Sequence, residues 1–193
     1  FTPLDQVSAE SSVVQLVYDL SKFKDRQFDA CPPTVIDANK QYTATLETTK
    51  CKIVIELLPD KAPLAVNSFV FLAREGWFDN APWHRVLEGF VAQSGDPSGT
   101  GVFGPGYLFK NETNDLKFDQ AGVVGMANSG ADRNGSQFFI TLAATPNLDG
   151  GYTIFGRVVE GMDVVQSLTL RDPQSGGVLP EPDLILSVTI EEK

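Results

Sequence analysis

A chain of 193 residues with 42% apolar side chains is long enough for one domain with a sizeable core and a modest appendage. Twenty-five acids against fifteen bases give a net charge of −10 with no clustered Lys and Arg, which excludes a nucleic-acid backbone or an anionic membrane surface as partner. No apolar run reaches the roughly eighteen residues that a bilayer span requires.

Phe1 to Gln41 reads as an extension in front of the main domain, residues 42–193. Val13, Leu16, Val17, Leu20 and Phe23 fall at helical spacing behind Ser8, Ser11 or Ser12 as N-caps, which predicts one amphipathic helix ending before Asp29 or Cys31. Its apolar stripe is expected to pack on the parent domain. Cys31-Pro32-Pro33 then forces an extended segment. The chain begins with Phe1 rather than Met, so a removed leader, anchor or tag is expected.

From Tyr42 the period changes to two. Tyr42, Ala44 and Leu46, then Ile53, Ile55 and Leu57, mark a hairpin whose turn is Thr48 to Cys51. A helix follows, with Pro63 in its first turn, Val66, Phe69, Val70 and Ala73 as its buried stripe, and Gly76 past its end. Trp83 to Leu87 and Gly89 to Ser94 read as two short strands. Strand parity puts Arg85 on one face near Gln93 and turns the only histidine, His84, the other way. Gly122 to Leu142 holds two more strands around a loop of turn formers. A short helix is expected over Gly161 to Leu168 and a last strand over Leu184 to Ile190. Many short strands and few helices predict a mainly β antiparallel barrel or sandwich.

Several chemistries can be set aside. Gly99-Thr100-Gly101-Val102-Phe103-Gly104 has the form of a dinucleotide fingerprint, but Pro105-Gly106 stands where that motif needs a helix. There is no G-x-S-x-G to present a serine to His84. One histidine and two distant cysteines do not furnish a usual zinc site, and no cofactor is expected. Asn111-Glu112-Thr113 and Asn134-Gly135-Ser136 have the form of glycosylation acceptors. What remains around Arg85 is a guanidinium, amide side chains and apolar walls. Arginine only donates hydrogen bonds, so this inventory suits a reaction without proton transfer or a covalent intermediate.

Read in order, WHRVLEGFVAQSGD (Trp83 to Asp96), GMAN, NGSQFFITL and LDGGYTIFGRVVEGMDVV resemble the cyclophilin family of peptidyl-prolyl isomerases. The resemblance runs from about Tyr42 to Ile190 and is dense from Trp83 to Val165. It implies a closed eight-stranded antiparallel barrel with a helix capping each end, acting on Xaa-Pro bonds of unfolded or flexible chains. By the same resemblance Arg85 is the catalytic donor, while Gln93 and the backbone of Asn128 hold the substrate main chain. Phe90, Val91, Phe139 and Leu148 form the proline pocket and Ala127 shapes the neighbouring groove. Tyr152 closes the pocket, and the loop Gly99-Thr100-Gly101 borders the site for the residue upstream of proline. His84, Phe138 and Phe155 are expected to be structural.

Departures from the family pattern carry expectations of their own. Asn147 stands where many members have tryptophan, which predicts weak binding of the drug cyclosporin, and Tyr152 stands where many have histidine, as in bacterial-type members. Val91 replaces a common methionine. Cys51 occupies a turn position where relatives usually have glycine, so a disulfide to Cys31 is expected, contributing roughly 3 kcal/mol and implying export. A monomer is expected. The runner-up reading is a module that binds proline-containing segments or shields folding intermediates with incidental turnover, and a third is a scaffold built around the extension.

Overall fold

In the computed structural model, which describes Phe23 and residues 25 to 193, the period-two segments become nine strands of one sheet. They are β1 (Tyr42–Thr48), β2 (Lys52–Leu57), β3 (Ala81–Pro82), β4 (Arg85–Val86), β5 (Val91–Ser94), β6 (Val123–Asn128), β7 (Asn134–Thr141), β8 (Ile154–Glu160) and β9 (Leu184–Glu192). Their order is β3-β9-β1-β2-β8-β6-β7-β5-β4, and every pairing is antiparallel.

The two outermost strands, β3 and β4, are separated in the chain only by Trp83 and His84. Three virtual bonds of about 3.8 Å join Pro82 to Arg85, so the ends of the sheet must lie close together. Closure is made by the covalent chain bending at Trp83-His84 rather than by an unbroken ladder. The expected strand over Trp83 to Leu87 is therefore shorter than its pattern suggests. The eight-stranded barrel of the sequence reading becomes a curled nine-stranded sheet, because one bent strand is shared between both edges.

Helix α1 (Pro63–Arg74) starts as its sequence demands, with Pro63 in the first turn. Its N-cap, Ala62, has no side chain to satisfy the first N–H groups. The carboxylate of Glu112 does so instead, accepting from Leu64 N and Ala65 N, both at 2.9 Å. The stripe Val66, Phe69, Val70 and Ala73 is buried, and Phe69 stacks on Phe78 with ring centroids 4.9 Å apart. Helix α2 (Met162–Gln166) buries Val165. Both helices contribute to one core with the inward side chains of the sheet, including Leu46, Ile55, Phe138, Ile140 and Phe155.

The predicted helix of the extension falls largely outside the described residues. Residues 25–41 have no regular structure of their own and are tied to the domain by side chains. Arg26 donates to Gly76 O (2.8 Å) and Trp77 O (3.0 Å), and Asn67 accepts from Val35 N (2.7 Å) and donates to Pro33 O (2.9 Å).

Cys31 and Cys51 are free thiols, both exposed, which corrects the expected disulfide. Asn67 and Pro63 place Cys31 near the start of α1, at the Tyr42 end of the first hairpin. Cys51 lies in the turn at the other end, where the Thr48 hydroxyl donates to Cys51 O at 2.6 Å. A seven-residue strand spans about 20 Å, and a disulfide needs Cα atoms within about 7 Å. The argument for export that rested on this bond falls with it.

Candidate active site

The sheet has two faces, and strand parity sorts the residues between them. Val86, Ala92, Val124, Met126, Phe138, Ile140 and Phe155 point into the barrel core. Their neighbours Val91, Val123, Phe139 and Ile154 point outward and, with Phe118, form a second apolar cluster. Phe90, Leu116, Ala127, Leu148 and Tyr152 pack against it. An apolar floor on the outer face of β5, β6, β7 and β8 is thus a direct consequence of alternating two hydrophobic sets.

Phe139 is at the centre of this floor, 4% exposed. Its ring lies 5.4 Å from that of Phe118 and meets Tyr152 edge-on at 5.6 Å. Gly125 sits directly opposite it on β6, and a β-carbon there would come within 2.7 Å of Phe139 Cζ. The absence of a side chain at Gly125 is what lets the ring lie flat against the sheet. Phe118 comes from the long polar loop before β6 and is held at both ends, its N–H donating to Asp149 Oδ1 (2.9 Å) and its carbonyl accepting from Thr145 N (2.7 Å).

Beside the floor, Arg85 pairs directly with Gln93 across the β4–β5 ladder, and Gln93 pairs in turn with Phe139 across β5–β7. The Arg85 guanidinium lies 5.6 Å from the Phe90 ring centroid. Phe90 belongs to the turn before β5, where Phe90 N donates to Leu87 O, so strand parity does not fix its ring. Among the described residues Arg85 makes no ion pair and no side-chain hydrogen bond, which leaves its N–H groups for a ligand. Gln93 Nε2 donates to Gln137 Oε1 (2.9 Å), and Gln137 Nε2 donates to Phe103 O (3.3 Å).

Gln93 is also the boundary of a second cavity of about 630 Å³, lined by Gly101 to Leu108, Ala127 to Ser129 and Gln137. The β6–β7 register shifts between Met126 and Asn128, and Ala127 has no partner on either neighbouring strand. An open stretch of main chain therefore borders this cavity. Asn128 Nδ2 donates to Gly151 O (3.1 Å), which fixes its side chain and leaves the backbone as the recognition element.

The loop after β5 is organised by Asp96, fully buried, whose carboxylate accepts from Ser98 N (2.7 Å), Gly101 N (2.7 Å) and Phe103 N (3.2 Å). Thr100 turns its hydroxyl to the same carboxylate at 3.2 Å, and Gly99 backs onto Pro82. Gly101, rather than Gly99 or Thr100, reaches the cavity. His84 is 3% exposed and neither ring nitrogen has a hydrogen-bond partner. Burial holds its pKa below the usual imidazole value, so the ring is neutral. Tyr107 donates to or accepts from Ser68 Oγ at 2.9 Å, and burial pushes its phenol up to about 12.

Sequence reasoning missed Phe118, Gln137 and Gly125. Phe118 stands alone between Lys117 and Asp119, and an isolated aromatic in a polar run was the available signal. Gln137 alternates with Phe138 on β7 and could have been placed by parity. Among the described residues no group of three or more His, Cys, Asp or Glu side chains is arranged to hold a metal.

Residues 43–190 match the family model described as cyclophilin type peptidyl-prolyl cis-trans isomerase. The chain belongs to the cyclophilin family. It is 48% identical over 149 residues to the peptidyl-prolyl cis-trans isomerase cypE of Dictyostelium discoideum, covering 75% of this chain and 96% of that protein. It is 49% identical over 141 residues to the peptidyl-prolyl cis-trans isomerase ppi1 of Schizosaccharomyces pombe, covering 71% and 91% respectively. A crystal structure of a Cryptosporidium parvum cyclophilin in the presence of the dipeptide Ala-Pro superposes with a TM-score of 0.70 at 30% identity, covering 77% of this chain and 98% of that one. This cyclophilin is a peptidyl-prolyl cis-trans isomerase and binds proline-containing peptides.

Proposed function

We propose that isomerisation takes place on the outer face described above, with Arg85 as the electrostatic centre. The barrier, about 20 kcal/mol, is the loss of amide resonance. As the bond twists, the proline nitrogen regains a lone pair. An N–H that meets this nitrogen better in the twisted than in the planar state lowers the barrier by differential binding. The apolar floor of Val91, Phe118 and Phe139, flanked by Phe90, Leu148 and Tyr152, holds the ring while the acyl side rotates. Gln93 and the open main chain at Ala127 and Asn128 hold the peptide on either side of the twisting bond.

The observation that carries this reading is the direct pairing of Arg85 with Gln93 beside Phe139. A module that only bound proline segments would need the floor but no unpaired guanidinium beside it. The test is NMR exchange between the cis and trans forms of a short Ala-Pro peptide. The parent accelerates exchange, and Arg85→Ala loses about 10²- to 10³-fold, the typical effect of removing one transition-state donor. Exchange retained in the variant would remove Arg85 from the mechanism.

The monomer remains the expected working form. Asn147 supports weak cyclosporin binding, because it is exposed and has neither the area nor the N–H of an indole.

A further inference from the structure

The 630 Å³ cavity beside Gln93 has a wall that the cyclophilin domain itself does not supply. Gln27 lies outside the matched residues 43–190, in the extension, yet it lines this cavity. Its position is fixed on three sides. Gln27 Nε2 donates to Gly104 O at 2.8 Å, Phe28 N donates to Pro105 O at 2.9 Å, and Arg26 is anchored on Gly76 and Trp77. The fit is close enough that a β-carbon at Gly106 would stand 2.4 Å from Phe28 O.

On the opposite wall, at the tip of the β6–β7 hairpin, is Arg133. Of the described residues lining the cavity it alone carries a charge. Its Nε donates to Ser129 Oγ at 3.3 Å, and no carboxylate pairs with it among the described residues. In a chain of net charge −10, an unpaired cation in a cavity next to the substrate's path is a local reversal of sign. The amide of Gln27 has a second N–H beyond the one given to Gly104, and Gln137 offers a further amide nearby.

We propose that this cavity is a specificity subsite that takes a carboxylate-bearing residue upstream of the isomerised proline, with Arg133 supplying the charge and Gln27 of the extension the opposing amide donor. The extension is then part of the substrate-reading surface. This rests on the placement of catalysis at Arg85, which sets the side of Gln93 from which the upstream residues leave.

Rates from NMR exchange on two peptide series test it, with Glu, Gln or Lys placed two or three residues before the proline, alongside the all-alanine peptide. In one series the Glu peptide is turned over about 2- to 5-fold faster in kcat/KM than its Lys counterpart, the size of a partly exposed ion pair. Arg133→Glu inverts that order, and Gln27→Ala narrows the gap between Glu and Gln. Equal rates for Glu and Lys in both series, or a Glu preference unchanged in Arg133→Glu, would overturn the subsite. A Glu-to-Gln gap unchanged in Gln27→Ala would overturn the part given to the extension. If the all-alanine peptide is turned over as fast by Arg85→Ala as by the parent, the placement of catalysis fails instead.

Discussion

Arg85 and Gln93 stand directly opposite each other across the β4–β5 ladder, with the guanidinium 5.6 Å from the Phe90 ring. A donor and a main-chain clamp are thereby held on one rigid face, and neither depends on a loop for its position. Gln137 locks Gln93 from the far side at 2.9 Å. The site thus needs no titrating group among its polar members, in keeping with a reaction that moves no proton.

Gly125 is the closest packing constraint in the site. A methyl group there would meet Phe139 Cζ at 2.7 Å and the Phe118 ring at 3.0 Å. Gly125→Ala is expected to destabilise the protein by about 1–3 kcal/mol through overpacking and to weaken peptide binding by displacing Phe139. Urea unfolding and a peptide titration check both effects; an unchanged denaturation midpoint would show that the floor yields freely.

His84 makes stability depend on pH. Its folded pKa is depressed below the unfolded value of about 6.5 because burial disfavours the charged ring. The stability it permits is complete above that value. As the pH falls below about 6.5 the unfolded chain takes up a proton that the folded chain refuses, with a slope of up to about 1.4 kcal/mol per pH unit, until the folded ring also protonates. As the only histidine, it can be isolated. Denaturant midpoints between pH 7.5 and 5.5 should fall in the parent, and the fall over this window should be much shallower in His84→Leu, whatever that variant's absolute stability.

Much of this arrangement was legible in local pattern. The hairpin at Tyr42, the helix opened by Pro63 and the shared face of Arg85 and Gln93 all follow from periods of two or 3.6 and from proline and glycine punctuation, which act within a few residues. What escaped depends on contacts distant in sequence. Trp83-His84 reads as continuous strand, and only closure of the sheet shows that the chain must bend there. Phe118 reaches the floor from a loop with no period. The Cys31–Cys51 bond looked attractive at a separation of twenty residues, but the length of β1 keeps the two thiols apart. Thr100 looked like a pocket residue and instead faces the Asp96 carboxylate, whose burial no local pattern announces.

Asn147 bears on the drug response. With an exposed asparagine in place of an indole beside Leu148, the wall that would cover a bulky cyclic peptide loses apolar area and one N–H donor. Calorimetric titration with cyclosporin should give a dissociation constant above the micromolar range while isomerase activity is intact. A submicromolar constant would contradict this.

The claim that Arg85 acts on the twisted bond, and not on the bound substrate, separates rate from affinity. One NMR titration of an Ala-Pro peptide with Arg85→Ala yields both the dissociation constant and the cis-trans exchange rate on the enzyme. The account predicts a dissociation constant within about threefold of the parent, since Phe139, Gln93 and the Asn128 main chain are untouched, and an on-enzyme exchange rate lower by about 10²-fold or more. A variant whose affinity falls as far as its rate, or whose exchange on the enzyme matches the parent, would contradict it.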